Sequence, residues 1–268
     1  MHVFISVDME GIAGVVDSAE TGAGPDYEWA RRLMTEEANA AVRGVLTAQP
    51  DSSITVADAH GSFRNILPEL LDGRAHLIRG KPRPLWMMAG VDADADAAFL
   101  VGYHGRAGTA RSVLAHTYGD AIADLRLNGR SVGEIGLNAA LAGHFGVPVV
   151  VVTGDESVRD EVADLLPAAV TVVVKRPLGF NAAKSLPPEE ARRLIEEAAA
   201  SAVSRLDSVP PFVVDGPVEV AIDLAGPSAV ERVLTLPRLE WGSGRTVTYL
   251  ANDILEAAQV VRAVLTLT

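Results

Sequence analysis

Three stretches in the first hundred or so residues share one pattern, an apolar run that stops at carboxylate or imidazole side chains. Val3-Phe4-Ile5-Ser6-Val7 ends in Asp8-Met9-Glu10, Ile54-Thr55-Val56-Ala57 ends in Asp58-Ala59-His60, and Ala98-Phe99-Leu100-Val101-Gly102-Tyr103 ends in His104. Each run reads as a strand. Side chains two apart on a strand point the same way, so Asp8 and Glu10 project together, as do Asp58 and His60. Ligands of open α/β sheets bind outside the carboxyl ends of the strands. Three such ends would bring carboxylate and imidazole to one edge.

The rest of the pattern alternates helix and strand. After the first strand, Gly11-Ile12-Ala13-Gly14 opens a loop that runs through Gly22 and Gly24 to Pro25. A helix is expected over residues 27–47, with Trp29, Leu33, Ala40, Ala41 and Val45 along one face. Residues 79–84 hold two prolines and read as an excursion over the surface. Asn128-Gly129, between Ile122–Leu127 and Ser131-Val132, predicts a type I′ hairpin that adds an antiparallel element to the sheet. A helix over Glu134–His144 precedes a strand at 147–152 buried on both faces. Residues 155–166 are expected to be helical and 170–174 a strand. A helix follows over 188–204, opened by Pro187-Pro188 and two glutamates. Strand-like Val218–Leu224 and Thr246–Ala251 precede a last helix over 253–264. The expectation is an α/β fold: three layers, α/β/α, around a mixed, mostly parallel sheet, with a C-terminal α+β portion. Residues 1–268 form one unit, and the portion from about 210 carries no assigned role.

Composition narrows the chemistry. The 268 residues are 49% hydrophobic and only 5% aromatic, so the core is built from Val, Leu, Ile and Ala. A net charge of -12 argues against nucleic-acid or anionic-membrane partners and mildly favours substrates with a free amine. Without cysteine there is no thiol nucleophile, thiolate zinc site or disulfide, so any metal must be held by histidine and carboxylate. Lys81, Lys175 and Lys184 are the only lysines, which leaves few candidates for Schiff-base chemistry. The first residues enter a strand with no secretory pattern, and no apolar run approaches the roughly 20 residues of a membrane helix. A cytoplasmic location is expected.

Taken one at a time, the candidate residues have plain structural readings. Asp8 and Glu10 could be a solvated strand end, His60 a turn residue, and His104 a hydrogen-bonded histidine. Repetition of the design on three strands favours metal ligands. Glu134 completes Ser131-Val132-Gly133-Glu134, a capping-box spacing, which by itself favours a helix cap over a ligand. His116, in the short apolar stretch Val113-Leu114-Ala115-His116-Thr117-Tyr118, reads as half-buried. Asp58, on the face of His60, is a candidate to fix its tautomer. His2, His76 and His144 follow no ligand pattern.

Five strings, in order, carry a family resemblance: Ser6-Val7-Asp8-Met9-Glu10-Gly11-Ile12, Met34-Thr35-Glu36-Glu37-Ala38-Asn39, Asp58-Ala59-His60, Gly102-Tyr103-His104-Gly105-Arg106-Ala107 and Val132-Gly133-Glu134-Ile135-Gly136-Leu137-Asn138-Ala139. The chain resembles the zinc-dependent D-aminopeptidases over nearly its whole length, more weakly after about Lys184, and the stretch from Gly108 to Ser112 departs from the family's pattern. The resemblance implies two zinc ions per chain. Asp8 would bridge them, Glu10 and His104 would complete one sphere, and His60 and Glu134 the other. It also implies His116 as the catalytic histidine, peptides with an N-terminal D-residue of the D-alanine type as substrates, and a ring-shaped homo-oligomer. Two alternatives stand beside it: a metal-dependent amidase acting on another small amide, and a non-catalytic peptide-binding protein of a dipeptide-uptake system.

Overall fold

Along β1 (His2–Val7), Val3, Ile5 and Val7 enter one hydrophobic cluster while Phe4 enters the other. A strand whose alternate side chains both find a core must be covered on both faces. The structure, a computed structural model, describes residues 1–268. After β1 come the short α1 (Ser18–Thr21), the long α2 (Pro25–Ala48), β2 (Ser53–Asp58), β3 (Ala75–Ile78) and β4 (Ala97–Tyr103). The hairpin β5 (Ile122–Leu127) and β6 (Arg130–Val132) leads into α3 (Glu134–His144). Then follow β7 (Val149–Asp155), α4 (Val158–Leu165), β8 (Val170–Gly179), β9 (Ala182–Ser185) and α5 (Pro188–Val203). The chain closes with β10 (Val218–Leu224), α6 (Pro227–Val233), β11 (Glu240–Ser243), β12 (Thr246–Ala251) and α7 (Ile254–Leu267).

The main sheet runs β3-β2-β1-β4-β7-β8-β9 and is parallel except for β9, which returns antiparallel from β8. One face is covered by α2 and α5, through Met34, Ala41, Val45, Ile195 and Ala199. The other is covered by α3 and α4, and α3 is buried at every position from Glu134 to Gly143. That suits a helix that is apolar nearly all round and lies inside the molecule. The mixed, mostly parallel sheet with helices on both sides is as expected.

The hairpin departs from expectation. Asn128 and Gly129 take φ of +50° and +79°, as a type I′ turn requires. Yet β5 and β6 do not join the main sheet. They belong to a second, antiparallel sheet in the order β11-β12-β10-β5-β6, with Leu125 opposite Ile222. The antiparallel element of the main sheet is β9. Alternation identified the strands correctly, but the partner of β5 lies almost a hundred residues away. The expected helix over 155–166 begins only at Val158, because Asp155 ends β7. Residues 79–84 are also more than a surface excursion. Arg83 donates to the carbonyls of Asp58 and Trp86, and the 3-10 turn Trp86–Met88 that follows leads toward the sheet edge.

Strands leave β1 in opposite directions, β2 and β3 on one side and β4, β7 and β8 on the other. The crevice at such a reversal is where open α/β sheets bind ligands. Here it lies at the carboxyl ends of β1 and β4.

Candidate metal centre

Pairing continues past the ends of these two strands. The amide of Asp8 donates to Val101 O and that of Gly11 to Gly102 O, both at 2.8 Å. A Cβ on Gly11 would lie 1.8 Å from Tyr103 O, so only glycine lets this loop lie against β4. Asp8, Glu10 and His104 are thereby brought side by side. Their donor atoms all lie within 4.8 Å of one another.

The loop beyond Glu10 is pinned from below. Lys175 is buried on β8 and its ammonium donates to the carbonyls of Glu10, Ile12 and Val15. Glu37 of α2 accepts the Ala13 amide at 2.8 Å. Burial pulls the Lys175 ammonium down to about 8 and pushes the Glu37 carboxyl up to about 7. Neither role was read from the sequence, although a lysine closing the run Val172-Val173-Val174 is a signal in itself.

All three imidazoles are oriented by backbone carbonyls. His60 donates from Nε2 to Thr21 O at 2.9 Å, and its Nδ1 stands 2.9 Å from Glu10 and 3.3 Å from Asp8. His104 donates from Nδ1 to Gly105 O at 3.0 Å, and its Nε2 stands 3.4 Å from Asp8 and 3.6 Å from Glu134. His116 donates from Nδ1 to Leu114 O at 2.8 Å and turns Nε2 to Glu134 at 3.6 Å. The rings of His104 and His116 stack at 4.2 Å. A carbonyl can only accept, so each bond keeps a proton on the nitrogen that makes it and turns the other ring nitrogen toward the carboxylates, where it can take an ion in place of a proton.

Asp58 does not fix the His60 tautomer; Thr21 O does. The Asp58 carboxylate instead accepts the amides of Asn65 and Ile66 and the Asn65 side chain. It ties down the turn after His60, because three nearby donors compete for it more effectively than the imidazole two residues away.

The capping box at Glu134 also does not form. The N-cap of α3 is Gly133, and Ser131 bonds to Asp124 instead. Glu161 of α4 accepts the amides of Gly133 at 2.7 Å and Gly136 at 3.3 Å, taking over the helix terminus. Glu134 is left free to accept the Tyr118 amide at 2.6 Å and to face His104 and His116.

The cluster therefore joins Asp8, Glu10, His60, His104, His116 and Glu134. Asp8, Glu10 and Glu134 are at most 6% exposed; Asp8 Oδ2 and His104 Nε2 have no hydrogen-bond partner, and Glu10 Oε2 has only the His60 imidazole beside it. Burial pushes Glu10 upward, but His60, His104 and His116 outweigh it and hold its carboxyl well below the usual range. Burial works to lower His104, yet Glu134, Asp8 and Glu10 raise it to about 10. His60 is raised well above its ordinary value by Glu10 and Asp8 against the same penalty. Burial raises Glu134, partly countered by His104 and His116. A buried set of carboxylates with orphaned oxygens calls for positive charge. Oxygen and imidazole donors of this kind fit divalent ions such as zinc. In this arrangement His60 stands closest to Glu10, while Glu134 stands closest to His104 and His116. The donors of His104, His116 and Glu134 also lie within 4.8 Å of one another.

A cavity of about 160 Å³ opens beside the cluster, walled further by Phe63, Lys81, Trp86, Met87 and Tyr118. Phe63, Trp86 and Tyr118 have φ of +57°, +52° and +59°, and Trp86 stacks on Tyr118 at 4.9 Å. Bulky residues rarely adopt left-handed backbone, and such strain gathers at functional sites. No sequence pattern marked these walls.

Comparison with known proteins agrees with this geometry. The profile of peptidase family M55, described as D-aminopeptidase, matches residues 1–263. The chain is 36% identical to a D-aminopeptidase of Bacillus subtilis (strain 168) over 263 residues, covering 97% of this chain and 95% of that relative. Its fold matches the solved Zn-dependent D-aminopeptidase DppA from Bacillus subtilis, a self-compartmentalizing protease, with a TM-score of 0.96 and 34% identity. That match covers 100% of this chain and 97% of the other. Similarity of this level over essentially the whole length establishes that the chain belongs to the D-aminopeptidase family of metallopeptidases.

Proposed function

We propose that this chain holds two zinc ions and releases N-terminal D-residues, D-alanine in particular, from short peptides. The observation that carries the reading is the position of Asp8. Its Oδ1 faces His60 and its orphaned Oδ2 faces His104, so one carboxylate stands between two sets of donors. Glu10 and Glu134 flank it as further carboxylates, and together with the two histidines they would hold the ions. When bound, the ions supply Lewis acidity, which activates water and polarises the scissile carbonyl.

The protein's own groups do the rest. His116 keeps its Nδ1 proton on Leu114 O, so Nε2 is the basic nitrogen that accepts a proton from water and passes it to the leaving amine. Phe63, Trp86 and Tyr118 shield the reacting bond from bulk water. The buried carboxylates favour a substrate with a free amino terminus.

The self-compartmentalizing relative supports a ring-shaped homo-oligomer for this chain as well. No helix is long and apolar enough to cross a membrane, and the charge of -12 disfavours nucleic acid. We place the enzyme in the cytoplasm, acting on small peptides as one metallopeptidase unit. The test is turnover by zinc-loaded protein of D-Ala-D-Ala, L-Ala-L-Ala and N-acetylated D-Ala-D-Ala. Cleavage of the first alone is expected. Equal turnover of free and acetylated peptides would make the enzyme a general amidase, and preference for the L-peptide would overturn the stereochemical assignment.

A further inference from the structure

Lys81 is the one lysine or arginine side chain that walls the metal-centre cavity. Its Nζ donates to Gly61 O at 3.0 Å, in the turn after His60, and makes no ion pair. The other two lysines are elsewhere: Lys175 is buried under the Glu10 loop, and Lys184 lies on β9. Next to the cavity is a more open cleft of about 480 Å³. Cavity and cleft share three residues, Lys81, Trp86 and Tyr118. Trp86 and Tyr118 form the stacked wall between them, and of the three shared residues only Lys81 is charged.

Pockets for drug-sized ligands usually hold roughly 300–1,000 Å³, so the inner cavity suits only a small fragment of substrate. A peptide with its amino end at the carboxylate and imidazole cluster would emerge past the stacked wall, at Lys81. A short peptide leaving by that route brings its terminal carboxylate past Lys81.

We propose that Lys81 recognises the C-terminal carboxylate of the substrate and favours dipeptides whose carboxyl terminus is free over those whose terminus is blocked. The proposal rests on the aminopeptidase reading above and adds the far end of the substrate to it. Lys81 is exposed in the free protein. Its contribution is therefore that of a charge-assisted bond at the low end of the range, about tenfold in KM.

The test compares D-Ala-D-Ala with its C-terminal amide, D-Ala-D-Ala-NH2, on zinc-loaded wild type, Lys81→Met and Lys81→Arg. In wild type the acid should have a KM about tenfold below that of the amide. Lys81→Met should raise the KM of the acid to that of the amide, and any change in kcat should be the same for both compounds. Lys81→Arg should restore most of the difference. Added salt should raise KM for the acid and not for the amide. A Lys81→Met variant impaired equally on both compounds, or on neither, overturns the proposal. Equal KM values in wild type overturn it while leaving the aminopeptidase reading intact. A wild-type enzyme that turns over neither compound refutes that reading, and this inference with it.

Discussion

Replacing Lys175 with methionine should loosen the loop that carries Glu10 without touching any proposed ligand side chain. The ammonium donates to three carbonyls. Ile12 O also accepts the Val15 amide at 3.2 Å, whereas Glu10 O and Val15 O have no other donor. Two buried carbonyls left unpaired cost about 1–3 kcal/mol each. Against this, Lys175→Met relieves the burial of a charge. The fall of the ammonium from 10.5 to about 8 corresponds to about 3 kcal/mol. The net loss at pH 7 is then about 1 kcal/mol, because methionine fills the volume and removes the charge together.

The pH dependence distinguishes this account from simple misfit. Between pH 8 and 10.5 the unfolded chain keeps the lysine proton and the folded chain has released it, so this group makes wild type more stable as pH rises. The gap between wild type and Lys175→Met should widen from about 1 kcal/mol at pH 7 toward about 4 kcal/mol near pH 10.5. Urea unfolding of metal-free protein at several pH values measures the gap, and a zinc titration of the same samples should show weaker binding in the variant. Equal stability at pH 7, with a gap that stays flat to pH 10.5 and unchanged zinc affinity, would refute the pinning role.

Two further outcomes are expected. His116→Ala should lower kcat by about 10²–10⁴-fold with the metal content intact; loss of metal in parallel would make His116 a ligand, a role its distance to Glu134 also permits. Glu161→Ala should destabilise the fold by about 1–2 kcal/mol through the uncapped start of α3, and should weaken metal binding as Glu134 is drawn back to its own helix terminus. Retained zinc affinity in a destabilised variant would separate the cap from the site.

The clustered carboxylates and imidazoles were legible where chemistry follows from local spacing. Asp8, Glu10, His60 and His104 stand at the ends of apolar runs, and a parallel sheet aligns such ends whatever the rest of the chain does. Glu134 was ambiguous because the Ser-x-x-Glu spacing is a real helix-start signal. The rival cap, Glu161, lies 27 residues on, and nothing local announces it. Thr21 O and Leu114 O orient His60 and His116 through backbone, which carries no residue-type signature. The same limit hid the second sheet. Alternation marks β5 and β10 as strands, but their pairing is set by the packing of Leu125, Val220 and Ile222 in the cluster that α3 and α7 share. The stacked wall of Trp86 and Tyr118 depends on left-handed backbone at both residues, which sequence preferences argue against.

The central claim is that Asp8 joins two metal sites. Elemental analysis of zinc-reconstituted protein after exhaustive dialysis tests it most directly, on wild type beside Asp8→Ala and Glu10→Gln. The account predicts two zinc ions per chain in wild type, loss of both in Asp8→Ala, and one weakened ion in Glu10→Gln. A single ion in wild type, or two ions retained in a folded Asp8→Ala variant, would contradict it.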